Sequence, residues 1–204
     1  MSRVFWFRRD LRLGDNRALN AAIKGAKTDG DASVYPVYAF SGDQFRALSG
    51  IRQHSLVESL KSLNLSMDSQ LAFLDSEPSL DLVKFAIAVG AKTVHATRAH
   101  DPKGTAEQNS VGLALKEAGI HLQLDDSYYS VAPGSVTKPD GTPYKVYTPF
   151  FKNWFAIFDA KPEALAGGAV WKKPDGFAQL SAPTKEAPFK VIAGEAFALR
   201  TLAR

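Results

Sequence analysis

The sequence predicts an α/β fold, an open doubly wound sheet of five mostly parallel strands, followed by a Pro-rich segment and the start of a further helix. Three observations carry this reading. Strand-like and helix-like segments alternate through the first 125 residues. The first apolar run, Val4–Phe7, has no polar alternation, as expected of a strand covered on both faces. Beyond Asp125 the alternation stops and prolines accumulate, at 133, 139, 143, 149, 162, 174, 183 and 188.

The elements follow in order. Behind the first strand, charge arrives at once as Arg8, Arg9, Asp10 and Arg12. Asp15 is the expected N-cap of a helix whose apolar stripe is Ala18, Leu19, Ala22, Ile23 and Ala26. Ser33–Phe40, rich in β-branched and aromatic residues, is the second strand, although Pro36 is awkward for a central position. A helix at about Gln53–Leu63 gathers Leu56, Leu60 and Leu63 on one face, and Leu71–Leu74 is the third strand. Ser76, Glu77 and Pro78 read as a helix start, with Ser76 as cap, leading into Leu80, Val83, Ile87 and Val89. Thr93–Thr97 is the fourth strand, Thr105–Ala118 a helix ended by Gly119, and Ile120–Leu124 the fifth strand. The domains expected are 1–130 for the α/β unit, 131–190 for a linker with an aromatic helix near 148–158, and 191–204 for a first helix beyond it.

Composition narrows the function classes. With 204 residues, 45% of them hydrophobic, the chain can build one good-sized core. It has no cysteine, so disulfides and thiolate metal sites are excluded. His54, His95, His100 and His121 lack metal-ligand spacing, and no metal is expected. No apolar run approaches the roughly 18 residues of a membrane span, so a soluble, cytoplasmic chain without a membrane partner is expected. The net charge of +4 comes wholly from residues 131–204, where 10 Lys+Arg face 6 Asp+Glu. That patch is too diffuse to mark a nucleic-acid module.

The segment Tyr144–Phe158 (YKVYTPFFKNWFAIF) stands apart from the rest of the linker. Thr148 followed by Pro149 reads as a cap and a first-turn proline, and Tyr147, Phe151, Trp154, Phe155 and Phe158 recur at helical spacing. Such a face either stacks on nucleic-acid bases or packs on a core. The sparse lysines favour packing.

Two segments carry a family resemblance. WFRRDLRLGDN (Trp6–Asn16) resembles the opening motif of DNA photolyases and cryptochromes, and YKVYTPF (Tyr144–Phe150) is similar to a second motif of that family, about 130 residues later. The resemblance implies a Rossmann-like domain holding an antenna chromophore that passes excitation to FAD in a separate C-terminal helical domain. The reduced FAD would repair cyclobutane pyrimidine dimers flipped out of UV-damaged DNA. On that comparison the final amphipathic helix, with Phe197, Leu199 and Leu202, reads as the start of the FAD domain. The chain reads as truncated, with the FAD domain its partner in cis and DNA reached only through the parent lyase. No catalytic residue is expected here.

The candidate chromophore contacts are Arg9 and Asp10 after the first strand, and Tyr38, Ala39 and Phe40 ending the second. Arg46 and Arg52 lie on the following segment, and Asp101 follows the fourth strand. Polar groups at strand carboxyl ends sit where open α/β sheets bind ligands. Plain alternatives stand beside them: Tyr38 and Phe40 as core, and Arg9 with Asp10 as a pair. Folate-binding members carry an Asn-Glu pair where this chain has Lys103 and Gly104, which favours a deazaflavin or flavin over folate. A cryptochrome-type photoreceptor domain and a stand-alone nucleotide-binding domain are the alternatives. The absence of a Gly-rich phosphate loop counts against the last.

Overall fold

The computed structural model describes residues 2–75, 78–126, 128–158, 161–177 and 180–203. β1 (Arg3–Phe7), β2 (Ser33–Phe40), β3 (Ala72–Asp75), β4 (Thr93–Thr97) and β5 (His121–Asp125) form a parallel sheet in the order β3-β2-β1-β4-β5. The strand order reverses between β1 and β4, so the topological switch point lies at their carboxyl ends. Helices α1 (Arg17–Thr28), α2 (Gly42–Ala47), α3 (Gly50–Leu65), α4 (Pro78–Ala88) and α5 (Pro102–Glu117) connect the strands.

Alternation along β1 builds two cores. Val4 and Trp6 pack with Leu82, Phe85, Val111 and Leu115 of α4 and α5 on one face. Phe5 and Phe7 pack with Leu19, Ile23, Leu60 and Leu63 of α1 and α3 on the other. All four strand residues are fully or almost fully buried, at about 1.5–3 kcal/mol of burial each as an upper estimate. This is the doubly wound architecture expected from the sequence.

Several local expectations are corrected. Asn16, not Asp15, caps α1: its side-chain Oδ1 accepts from the Leu19 amide at 3.0 Å. Asp15 takes a left-handed φ of 49°, which Asp tolerates, and its carboxylate instead accepts from the Glu163 amide at 3.1 Å. In α4 the buried face is Leu82, Phe85 and Ala86, whereas Leu80 and Ile87 are exposed. Four consecutive apolar spacings fit either register there, and packing on the sheet selects one. Ser76, the expected cap, lies outside the described residues. The third strand begins one residue later than expected and α2 was not anticipated. Pro36 is accommodated inside the sheet because β2 meets two partners on its outer side. β6 (Val170–Trp171) pairs with Ser33 and Val34, β3 begins opposite Val37, and Pro36 falls in the gap.

The segment after β5 does not trail away. Residues 161–177 and 180–195 return across α1 and α3, and Gln53 fixes part of this path. Its Oε1 accepts from the Thr184 and Lys185 amides at 2.8 and 3.1 Å. Helix α6 (Tyr147–Ile157) starts before Thr148, with Val146 as an N-cap that makes no side-chain bond, which corrects the expected start. Its aromatic face is not packed on a core either. No α6 residue is buried, and the rings stack on one another: Tyr147 on Phe151 at 5.7 Å, and Trp154 on Phe158 at 4.6 Å. Helix α7 (Glu195–Leu202) is tied at its first residue, whose carboxylate accepts from the Leu13 and Gly14 amides, both at 2.8 Å.

Candidate functional site

The carboxyl ends of β1, β2 and β4 open onto two recesses. Each inherits its residues from the charged run behind β1. The backbone there must leave the sheet and cross to α1, so successive side chains diverge. Trp6 and Arg8 turn toward α5, Asp10 turns under the loop, and Arg9 reaches solvent.

Asp10 is 2% exposed. Its carboxylate accepts from the Thr97 hydroxyl on β4 and from Asn16 Nδ2 at 3.2 Å. It therefore pins the loop at the switch point, and its oxygens are spent on the fold. The phenol of Tyr128 lies close by, accepting from the Arg9 amide at 3.2 Å. Burial first, then the Asp10 charge, pushes this phenol up to about 12.

The first recess, about 210 Å³, lies between β1, β2 and the start of α5. Arg8 forms its wall. The guanidinium is 4.6 Å from the centre of the Trp6 ring, and Nη2 donates to Glu107 Oε2 at 2.7 Å and to the Gly104 carbonyl at 2.8 Å. The Arg8 side chain is only 7% exposed. Two buried donors in this wall, Arg8 Nη1 and Trp6 Nε1, have no acceptor among the described residues. Tyr38 lies on the β2 side, its phenol pushed up to about 12 mainly by burial and then by the Glu107 charge, so it stays protonated at neutral pH. Gln44, Ser41 and Lys103 complete the rim. The recess carries both donors and acceptors, with Arg8 holding Glu107 Oε2 and the Gly104 carbonyl.

The second recess, about 850 Å³, runs between the β1–α1 loop, α3 and α7, with Leu11, Ala198 and Leu199 among its apolar walls.

Of the residues expected from the sequence, Arg9, Tyr38 and Ala39 line the first recess. Arg9 also lines the second, and its guanidinium pairs with Asp101 at 2.9 Å. Asp101 caps α5 by accepting from the Gly104 amide at 2.9 Å, and that bond, more than the Arg9 charge, holds its carboxyl below the ordinary range. Asp10 lies beneath the loop, beside the second recess. Arg46 pairs with Asp43 at 2.5 Å and lines neither recess, and neither does Arg52, exposed on α3. The backbone of Phe40 ends β2, while its side chain lies outside what the structure describes. Trp6, Arg8 and Glu107 were not expected in the site. The pattern offered one signal for the first two: on a strand buried on both faces, alternate residues reach the ligand-bearing end in pairs.

Among the described residues no group of three His, Cys, Asp or Glu could hold a metal, and no helix is long and apolar enough to cross a membrane.

The profile of the family described as DNA photolyase matches residues 3–166. The chain is 34% identical over 165 residues to a deoxyribodipyrimidine photo-lyase of Synechococcus, covering 80% of this chain and 33% of that protein. Its fold resembles a bacterial class III photolyase from Agrobacterium tumefaciens, with a TM-score of 0.70 at 26% identity over 90% of this chain and 37% of the other. It also resembles an archaeal photolyase from Sulfolobus tokodaii, with a TM-score of 0.82 at 21% identity over 100% of this chain and 46% of the other. The chain thus spans roughly a third to a half of the length of these proteins.

Proposed function

Because the chain belongs to the DNA photolyase family, we propose that it is the domain that binds a light-harvesting antenna chromophore. The parent enzyme would repair cyclobutane pyrimidine dimers in UV-damaged DNA, with FAD held in a C-terminal helical domain. The bound chromophore absorbs light and passes the excitation on. The task of this chain is to bind it, orient it and shield it from water.

One observation carries the reading: a recess at the carboxyl ends of β1 and β2, walled by Arg8, Tyr38 and Gln44 and beside the point where the strand order reverses, which is where open α/β sheets bind ligands. At about 210 Å³ the recess suits one edge of a planar ring system. The chromophore proposed is a deazaflavin or flavin. Gly104 supports this choice over folate. A Cβ there would stand 2.7 Å from the Asp101 carboxylate and 2.9 Å from the Ala99 methyl, so the acidic side chain of the folate pattern does not fit.

Titration with FMN, a deazaflavin and a reduced folate tests the proposal. A bound chromophore should show a red-shifted absorbance. At a hundredfold excess over Kd it should add about 2.7 kcal/mol of stability, a readily visible melting shift. A melting curve unmoved by all three at millimolar concentration would defeat the antenna reading. Repair of dimer-containing DNA by the full gene product separates a photolyase parent from a cryptochrome.

A further inference from the structure

We infer that a pocket beside the antenna recess takes a polyol phosphate tail, so that the chain prefers a phosphorylated chromophore. This rests on the antenna reading for the ring, and on the pocket's own residues for the tail. At about 210 Å³ the first recess holds one edge of a planar ring system, and the remainder of such a ligand must lie outside it. A further pocket of about 250 Å³ adjoins it between α2, α4 and α5. The two share Ser41, Gln44, Lys103 and Glu107, while Ser79 and Ser110 line only the second. Gln44 and Lys103 are exposed, so a substituent leaving the first recess on this side runs along them into the second.

The polar side chains of this pocket are not used by the fold. Among the described residues, those of Ser41, Gln44, Ser79, Lys103 and Ser110 make no hydrogen bond or ion pair. Each can therefore serve a ligand without a bond being broken. The charge is one-sided as well. Glu107 is matched by Arg8 at 2.7 Å, which leaves the Lys103 ammonium as the unmatched charge among the lining residues. Three hydroxyls, an amide and one ammonium complement a chain of hydroxyls that ends in an anion. Apolar and unphosphorylated tails leave the ammonium without a partner.

Three flavins with one ring and different tails separate the two compartments: lumiflavin with none, riboflavin with hydroxyls, and FMN with hydroxyls and a phosphate. Fluorescence titration of this chain should rank them FMN, riboflavin, lumiflavin, at about three- to tenfold in Kd per step. Lys103→Gln should abolish the advantage of FMN over riboflavin and leave riboflavin unchanged. Ser79→Ala with Ser110→Ala should bring riboflavin down to lumiflavin. None of these side chains holds the fold together, so the variants should fold. Ribitol 5-phosphate, the bare tail, should shift the backbone amide signals of Ser79 and Ser110 saturably in heteronuclear NMR. Equal affinity for the three flavins, or an FMN preference that survives Lys103→Gln, overturns the tail pocket and leaves the antenna reading standing. If no flavin binds while ribitol 5-phosphate moves those amides, the antenna reading fails and the tail pocket stands. If neither the flavins nor ribitol 5-phosphate bind, both fail.

Discussion

The Asp10 carboxylate accepts a hydrogen bond from the Thr97 hydroxyl, joining the loop behind β1 to the last residue of β4. This contact bridges the place where the strand order reverses and sets how the recesses open. Both groups are buried, so the bond is made in a medium where an unpaired partner is expensive.

Asp10→Ala should therefore cost about 2–4 kcal/mol in urea denaturation, because it strands the Thr97 hydroxyl and weakens the hold on Asn16. Thr97→Val should cost less. The double variant should fall well short of the sum, since the two side chains share one interaction. Additive losses would show that Asp10 acts elsewhere.

Acid should destabilise the protein through His95. This residue is 1% exposed on β4, and burial, followed by the Arg3 charge, lowers its pKa from 6.5 to about 4. The unfolded chain binds a proton more readily than the folded one. Stability is complete above about pH 6.5 and is lost as pH falls toward 4, by about 3 kcal/mol for this group. Melting temperatures measured between pH 7 and 4 should fall, and His95→Gln should flatten that slope. An unchanged slope in the variant would place the acid sensitivity on other groups.

Gly104→Ala should be disproportionately costly for a residue on a helix, where alanine is normally favoured. The added methyl crowds Asp101 and Ala99 at 2.7 and 2.9 Å, so the cap or the helix must shift, at about 1–3 kcal/mol. Calorimetry should show a lower Tm. A neutral or stabilising result would mean that the α5 start adjusts freely, and it would remove the objection to an acidic side chain there.

The sheet was legible in the sequence because apolar runs bounded by turns specify buried parallel strands, and the second and fourth strands, Ser33–Phe40 and Thr93–Thr97, agree residue for residue. Caps were less so: Asp15 and Asn16 are chemically equivalent candidates, and only the left-handed turn at Asp15 separates them. The face at α4 was half misread: Val83 and Val89 do pack against the core, but Leu80 and Ile87 do not, and with Leu82 and Phe85 also apolar the period does not choose a register. The site was partly legible. Arg9, Tyr38 and Ala39 follow from the rule that ligands meet strand ends, whereas Arg8 depends on a carboxylate 99 residues away in the chain. The exposure of α6 could not be read at all. An amphipathic pattern states that a face is apolar, not what covers it.

Gln53 gives the last prediction. It is fully buried in α3 and makes bonds in two directions. Nε2 donates to the Phe45 carbonyl at 3.1 Å, while Oε1 accepts from the Thr184 and Lys185 amides. The Lys185 ammonium then reaches the carbonyls of Arg46 and Leu48, both at 2.7 Å. Thr184 itself is exposed, and polar bonds hold the returning segment there: those of the Gln53 amide, those of the Lys185 ammonium, and a contact of His54 Nε2 with the Lys185 carbonyl at 3.2 Å. Gln53→Leu keeps the volume but removes every bond that the Gln53 side chain makes. The amides of Thr184 and Lys185 should then exchange with solvent at least tenfold faster, and proteolysis near Lys185 should precede global unfolding. Gln53→Glu keeps the acceptor and should preserve more protection than leucine, while losing the bond to Phe45. If both variants exchange like the unsubstituted protein, the return path there is held by the bonds of Lys185 with Arg46, Leu48 and His54 instead.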